Sequence, residues 1–504
     1  MYSFLGGILI LLFGYFVYGV ILEKVFRSDD RKTPCLIHPD GVDYVPVKPL
    51  QAFLIQLLNI AGLGPIFGAL SGAIWGPQVY LWIVFGTIFA GAVHDYLAGM
   101  ISMRNDGASI SEITGKYLGG FMLQVIRLFS VILLIMVGVV FMVGPAGLLA
   151  LMVTQGTSGA ITASSAPAVV WEMNAAEWTK VLTVIILIYY FLATLLPFDK
   201  IIGKIYPVFG FCLIFMAIGI GGVTVYNHLN GTKPMIELWE GFYNMHPKAE
   251  STPIWPLMFI TVACGAISGF HATQAPMISR CLTSERQGRF VFYGAMVAEG
   301  MIALIWAAAG IAFYNPAGDG FSTAGLLAIG GGNSTSVYQI SVGLLGPIGS
   351  VLALLGVVAC PITSGDTAFR SARLVIADWF KIEQKDFLPR LAIALPLLLL
   401  GYGISFLDYN VVWRYVAWSN QTLAMIALWA GAVYLCRSVG QSKALIAAIP
   451  ATFMSAVSVT YFCIAEECYL MLEKNLAYGI GVGAALLFFA IYLSKNFFRS
   501  SLVH

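Results

Sequence analysis

Thirteen stretches of this chain are apolar for long enough to cross a lipid bilayer, which constrains its fold more than any single motif. They run about 3–26, 50–75, 79–103, 120–152, 178–196, 206–226, 254–279, 289–313, 340–364, 389–407, 411–436, 443–465 and 476–498. About 20 apolar residues suffice for one helical crossing. Hydrocarbon offers no partner to a backbone N–H or C=O, so each stretch must be a helix. Only 10% of the residues are charged and 59% are hydrophobic, against about 25% charged in soluble domains. The fold class expected is an all-α membrane protein of about 13 transmembrane helices, in a single polytopic domain.

Charge sets the topology. Cytoplasmic loops are enriched in Lys and Arg. With the N-terminus outside, 22 of the 27 Lys and Arg fall inside. The inward set begins with Lys24, Arg27, Arg31, Lys32 and Lys48, and runs to Lys495 and Arg499. The outward set is Lys180, Lys233, Lys248, Arg414 and Lys474, and the outward loops 154–177 and 314–339 hold no Lys or Arg. The expectation is therefore N-out, C-in, in the cytoplasmic (inner) membrane. Residues 3–26 are too long for a signal-peptide core and end on Glu23, Lys24 and Arg27, so they are expected to stay as a helix. Cys468 alone of the eight cysteines falls in an outward loop, which argues against an external disulfide framework.

Two of the runs are interrupted. The second carries Gly62-Leu63-Gly64-Pro65, and the seventh carries Gly265, Ser268-Gly269 and Pro276. Gly and Pro free backbone groups from the helical ladder, and such breaks persist where a cavity, water or ligand satisfies them. The same residues also make ordinary packing kinks. Here the two breaks lie five helices apart on helices of opposite direction, the signature of an inverted repeat with a midplane binding site. Residues 50–226 would be one repeat and 254–436 the other. Residues 1–49 and 443–504 would be peripheral.

Ionisable groups at membrane depth are costly and so are functional candidates. His94-Asp95 in the third run is suited to carrying a proton, or to tying two helices together. Glu299 in the eighth lies about ten residues from the inner surface without a Lys or Arg within a turn, a candidate protonation site or a partner for a helix break. Asp366 has Arg370 four residues on, the spacing of an intrahelical ion pair. Thr363 and Ser364 offer small hydroxyls to a cation or carboxylate. His271 stands beside the second break. Asn420-Gln421 either join helices or line a path.

Several classes are excluded or unsupported. The basic residues form no stripe for nucleic acid. No phosphate-binding Gly-x-x-x-x-Gly-Lys-[Ser/Thr] loop is present, nor His-Glu-x-x-His, nor Gly-x-Ser-x-Gly, so ATP-driven or enzymatic chemistry lacks a motif. No Cys/His spacing resembles a metal site, and no cofactor is expected beyond a coupling ion. That ion is a proton through Glu299 or His94–Asp95, or sodium held by Thr363, Ser364 and carbonyls near Ala61. The partners expected are a small-molecule solute and the bilayer. The number of subunits is not legible.

Long motifs carry a resemblance. IAGLGPIFG, WGPQVYLWIVFGTIFAGAVHDY and RNDGASISEI, within residues 60–113, resemble the carbon starvation protein (CstA) family. So do RKTP and DGVDYVP at 31–46, SGFH at 268–271, YGAMVAEG at 293–300, SGDTAFRSAR at 364–373 and NQTLAMIALW at 420–429. The resemblance implies a secondary transporter with a five-plus-five inverted-repeat core like that of amino-acid/sodium symporters. It implies import of pyruvate, or of short peptides, during nutrient limitation. It marks Gly62, Gly64, Pro65, His94, Asp95, His271, Glu299, Asp366 and Asn420 as motif positions. The chain departs from the family at Ile55-Gln56, where many members have a His-His pair, at Ala69 in place of a Pro, and in ATQAPMIS after SGFH. The substrate-binding set expected is Gly62, Gly64, Pro65, Gly265, Ser268, Gly269, His271 and Asn420. The ion-coupling set is His94, Asp95, Glu299, Thr363, Ser364 and Asp366. A membrane nutrient sensor is the competing class; the longest inward loop, about 25 residues, leaves little room for a signalling domain.

Overall fold

The computed structural model describes residues 1–504 except 41–43, 157–169, 171–172, 196–198, 316–320, 385 and 498–504, with main chain only at 194–195, 199–207, 348–349, 352–353 and 496–497. In chain order its long helices are α1 (Tyr2–Phe26), α2, α3 (Val79–Met103), α4 (Gly120–Gln155), α5 (Ala175–Leu195) and α6 (Asp199–Leu229). The second half holds α7, α8 (Glu285–Tyr314), α9 (Ser334–Phe380), α10 (Phe387–Ile404), α11 (Tyr409–Val439), α12 (Gln441–Ile464) and α13 (Lys474–Lys495).

Two of these are broken. α2 consists of α2a (Pro49–Ile60) and α2b (Gly64–Trp75), bent by 54°. α7 consists of α7a, from Ile254 to Thr261, and α7b (Gly269–Ser279). Among the described residues, ten helices are long and apolar enough to span a membrane, and the bent α2 makes eleven. Of the 13 expected runs, α7 and α9 are not among these, and α9 includes side chains at 348–349 and 352–353 that lie outside the described residues. α7 is unwound for seven residues, 262–268, so neither piece spans alone. α9 runs well beyond the apolar stretch 340–364 and is hinged where Gly346 takes φ 64° ahead of Pro347.

The polar contacts fall at two ends that follow the charge pattern. At the basic end, Arg104 donates to both oxygens of the buried Glu285 at 2.9 and 2.8 Å. Arg289 meets Glu23 at 2.8 Å, and Arg286 meets Asp30 at 2.8 Å. At the other end Lys233 donates to Phe313 O at 2.7 Å, Arg414 lies 3.5 Å from Glu467, and Lys474 reaches Glu250 O. Lys385, Arg499 and most of the loop 154–177 lie outside the described residues.

Lipid tails are as apolar as leucine, so helices in a bilayer associate through close packing at small residues. α1 docks this way on α3 and α8. A methyl group on Gly7 would meet Leu304 and Val84, and one on Gly14 would meet Ile88. α4 packs along α9, α11 along α12, and α13 leans on α12. This leaves α2, α3, α7 and α8 together at the centre, with α9 and α11 beside the two breaks.

Candidate transport site

The α2 break begins where Ala61 leaves helical geometry (φ −80°, ψ 45°). Pro65, lacking an N–H, then opens α2b. The carbonyls left behind require other donors at this depth, and α9 supplies them. Cys360 Sγ donates to Leu58 O and Ala61 O at 2.9 and 3.2 Å, and Ser364 Oγ donates to Leu58 O at 3.1 Å. Thr363 turns back on its own helix, 2.8 Å from Cys360 O.

The α7 break runs from Val262 (φ −91°, ψ 60°) to the extended Ser268. Trp82 Nε1 donates to Phe259 O at 3.2 Å and to Val262 O at 3.3 Å. Gln421 Nε2 donates to Phe259 O at 2.6 Å, and Thr87 Oγ1 to Gly265 O at 3.1 Å. At the start of α7b, the Phe270 N–H donates to Asn420 Oδ1 at 2.7 Å, so a side chain of α11 caps this helix. Asn420 and Gln421 thus hold the backbone of α7 itself.

The breaks touch. A Cβ on Gly64 would lie 2.2 Å from Cys264 Cβ, and one on Gly265 would lie 3.8 Å from Pro65 Cα. Gly62 faces the Phe141 ring, and Ser268 Oγ lies 3.6 Å from Cys264 Sγ. Between them is a cavity of about 10 Å³, bordered by Gly64, Phe141, Cys264, Phe270, Trp413 and Asn420. That is room for about one water molecule. Both α2b and α7b begin at the cavity. Helix N-termini carry partial positive charge, so two such ends border it.

Beside the breaks, and outside the lining of that cavity, runs a chain of ionisable groups from three helices. His94 Nδ1 lies 2.7 Å from Asp95 Oδ1, and His271 Nδ1 lies 2.9 Å from Asp95 Oδ2. His271 Nε2 lies 3.4 Å from Glu299 Oε2. All four side chains are buried. Asp95 thus receives both imidazoles, one from α3 and one from α7b, and His271 links it to Glu299 on α8. The sequence places His271 beside the break as a solute ligand; the structure puts it between the two carboxylates. Asp366 stands apart. It lies 3.6 Å from Arg370 on the same helix, and Arg370 also donates to Ala193 O at 2.9 Å.

Of the expected residues, the structure gathers Gly62, Gly64, Pro65, Gly265, Ser268, Gly269 and Asn420 around the breaks. It joins His94, Asp95, His271 and Glu299, sets Ser364 on the α2 break, and leaves Thr363 and Asp366 on α9. Sequence reasoning missed Cys264, Thr87, Trp82, Phe141, Phe270 and Trp413. Cys264 was within reach, since it stands next to Gly265 in the interrupted run.

Fold and site together define a multi-pass membrane protein built on the five-plus-five inverted-repeat core of the amino-acid/sodium symporter type. The solved structure of MhsT in complex with L-phenylalanine superimposes with a TM-score of 0.53 at 15% identity, over 79% of this chain and 98% of that one. The family described as carbon starvation protein CstA matches residues 1–150 and 144–315, and this chain belongs to it. An uncharacterized membrane protein of Haemophilus influenzae is 46% identical over 63% of this chain and 92% of its own length. A Bacillus subtilis relative named peptide transporter CstA is 27% identical over 91% of this chain and 89% of its own. An Escherichia coli relative named pyruvate/proton symporter BtsT is 28% identical over 60% of this chain and 47% of its own.

Proposed function

We propose that this chain is a secondary transporter that imports a small organic solute, pyruvate or a similar small carboxylate, together with a proton. The observation that carries this reading is the contact of two unwound helices at a small cavity, with a buried chain of His and carboxylate groups on the helices that pack around them. Helix N-termini at such a break suit a carboxylate without a dedicated Arg. Titratable His and carboxylate groups with no Lys or Arg among them suit a proton better than a large cation. A solute of several heavy atoms enters only when the cavity walls separate, as alternating access requires. The charge pattern supports an inner-membrane protein with its N-terminus outside and C-terminus inside, and the family supports a role in nutrient limitation. The E. coli relative's name favours pyruvate. A short peptide is the second reading, favoured by the name of the B. subtilis relative, which matches nearly the whole chain.

The test is uptake into proteoliposomes of pyruvate, other monocarboxylates, amino acids and di- and tripeptides, under imposed proton or sodium gradients. Pyruvate accumulation driven by an inward proton gradient is the expected result. Accumulation of peptides alone passes the substrate to the second reading. Dependence on sodium moves coupling to Ser364 and the Leu58 and Ala61 carbonyls. Binding without flux makes the chain a sensor.

A further inference from the structure

The hydrogen bonds around Asp95 fix where the mobile proton sits. An ionised carboxylate only accepts hydrogen bonds, and a neutral imidazole carries one N–H. Both oxygens of Asp95 are met by an Nδ1, from His94 at 2.7 Å and from His271 at 2.9 Å. With Asp95 ionised, both rings present Nδ1–H to it. The tautomer that serves Asp95 leaves His271 Nε2 bare and facing Glu299 Oε2 at 3.4 Å. That contact is attractive only if it holds one proton, either on the carboxyl or on the imidazole.

We propose that this proton, shared between His271 Nε2 and Glu299 Oε2, is the one that travels with the solute. Asp95 and His94 are positioning residues that hold the His271 ring. The proposal rests on the proton-coupled reading above. With the proton present the cluster carries one net negative charge, that of Asp95. Without it the cluster carries two, buried in the bilayer interior, which is costly. The thiols of Cys264 and Cys360 also lie within electrostatic reach of Glu299, and among the described residues no Lys or Arg forms an ion pair with it. The unloaded state therefore lacks a compensating charge, and return of the site favours reprotonation. Glu299 Oε1 and His94 Nε2, at the two ends of the chain, are buried without a protein partner. The proton comes from bulk water on one side and returns to bulk water on the other; the only bonds made and broken are O–H and N–H. The 3.4 Å separation exceeds a hydrogen bond, so transfer across it requires α7b and α8 to approach by about half an ångström. This ties the proton to movement of the broken helix. One proton per solute makes import of a monocarboxylate electroneutral and import of a zwitterionic peptide electrogenic.

Two measurements on the full chain test this. The first needs no solute: nitrogen-15 NMR of histidine-labelled protein in nanodiscs, with His94→Asn and His271→Asn assigning the signals. The expected result is Nδ1–H on both rings, with Glu299→Gln shifting the His271 signal and leaving that of His94. A His271 ring with bare Nδ1 overturns the proposal. The second uses pyruvate, with alanylalanine as the alternative probe, in proteoliposomes carrying a pH dye. Glu299→Gln should retain exchange of labelled solute at equal pH and lose solute-driven proton movement at least tenfold, with His271→Gln as the second variant. Proton movement per solute unchanged in both also overturns it. A wild type that carries solute without protons contradicts the coupled reading above, whatever the NMR tautomers show.

Discussion

The break in α2 is held by a thiol and a hydroxyl, while the break in α7 is held by an indole, two amides and a hydroxyl. A thiol is a weak donor, so the seam between α2a and α9 is the softer one. Cys360 and Ser364 can release Leu58 O and Ala61 O at small cost. The α7 break has stronger partners on both flanks, Trp82 and Thr87 from α3 and Asn420 and Gln421 from α11. The two breaks differ again in what crowds their glycines. Gly64 meets the Cys264 side chain, whereas Gly269 meets backbone, Asn420 O at 2.4 Å and Ala424 N at 2.7 Å. By these bonds the α7 break is the more firmly held of the two and the α2–α9 seam the softer.

The sharpest way to break this comparison is to exchange glycines. Gly64→Ala should lower uptake at least tenfold with insertion into the membrane unchanged. Adding Cys264→Gly should restore most of it, because the colliding atom belongs to a side chain. Gly269→Ala should abolish uptake and have no single side-chain rescue, because backbone does not yield. Rescue of Gly269→Ala by a neighbouring side-chain change, or none for Gly64→Ala, removes the distinction.

Much of this architecture is legible before any coordinates. Apolar runs give the helices, and Lys and Arg placement divides the loops into the same two ends that Arg104–Glu285 and Arg414–Glu467 occupy. Gly62, Gly64, Pro65, Gly265 and Gly269 mark the breaks because Gly lacks a side chain and Pro lacks an N–H. The start of the α7 break is not legible, since Val262-Ala263-Cys264 is as apolar as any helix interior. The His–carboxylate chain is not legible either. His271 and Asp95 lie 176 positions apart in sequence, and only the packing of α3 on α7b joins them. The extent of α9 goes beyond its apolar run, and the Asp366–Arg370 spacing was the one sign of helix past residue 364.

Smaller effects sharpen the contrast between the breaks. Asn420→Ala removes the acceptor of the buried Phe270 N–H, which costs about 1–3 kcal/mol and should lower the Tm measurably. Ser364→Ala should cost less, about 1 kcal/mol or below, because Cys360 still serves Leu58 O. A larger loss for Ser364→Ala than for Asn420→Ala reverses the assignment of the soft seam.

The smallest effect is a control far from both breaks. Glu237 accepts from the Met1 ammonium, from the Tyr2 and Ser3 N–H groups at 2.8 Å and from Ser3 Oγ at 2.6 Å, anchoring α1. Burial alone raises its pKa, but these hydrogen bonds outweigh burial and lower it from 4.5 to about 2. A depressed folded-state pKa gives stability that is present above the unfolded value and lost as pH falls through the folded one. Protection of α1 from hydrogen exchange should therefore hold above pH 4.5 and fall away toward about pH 2. Glu237→Gln should flatten that dependence and leave uptake at neutral pH unchanged.

The most direct test of a solute site between the two unwound helices uses Cys264, which borders the cavity opposite Gly64. In a variant retaining Cys264 as its only cysteine and still able to transport, labelling by a small methanethiosulfonate reagent should be slowed several-fold by saturating solute. The labelled protein should no longer transport. Labelling at the same rate with and without a solute that the same vesicles carry would contradict the account.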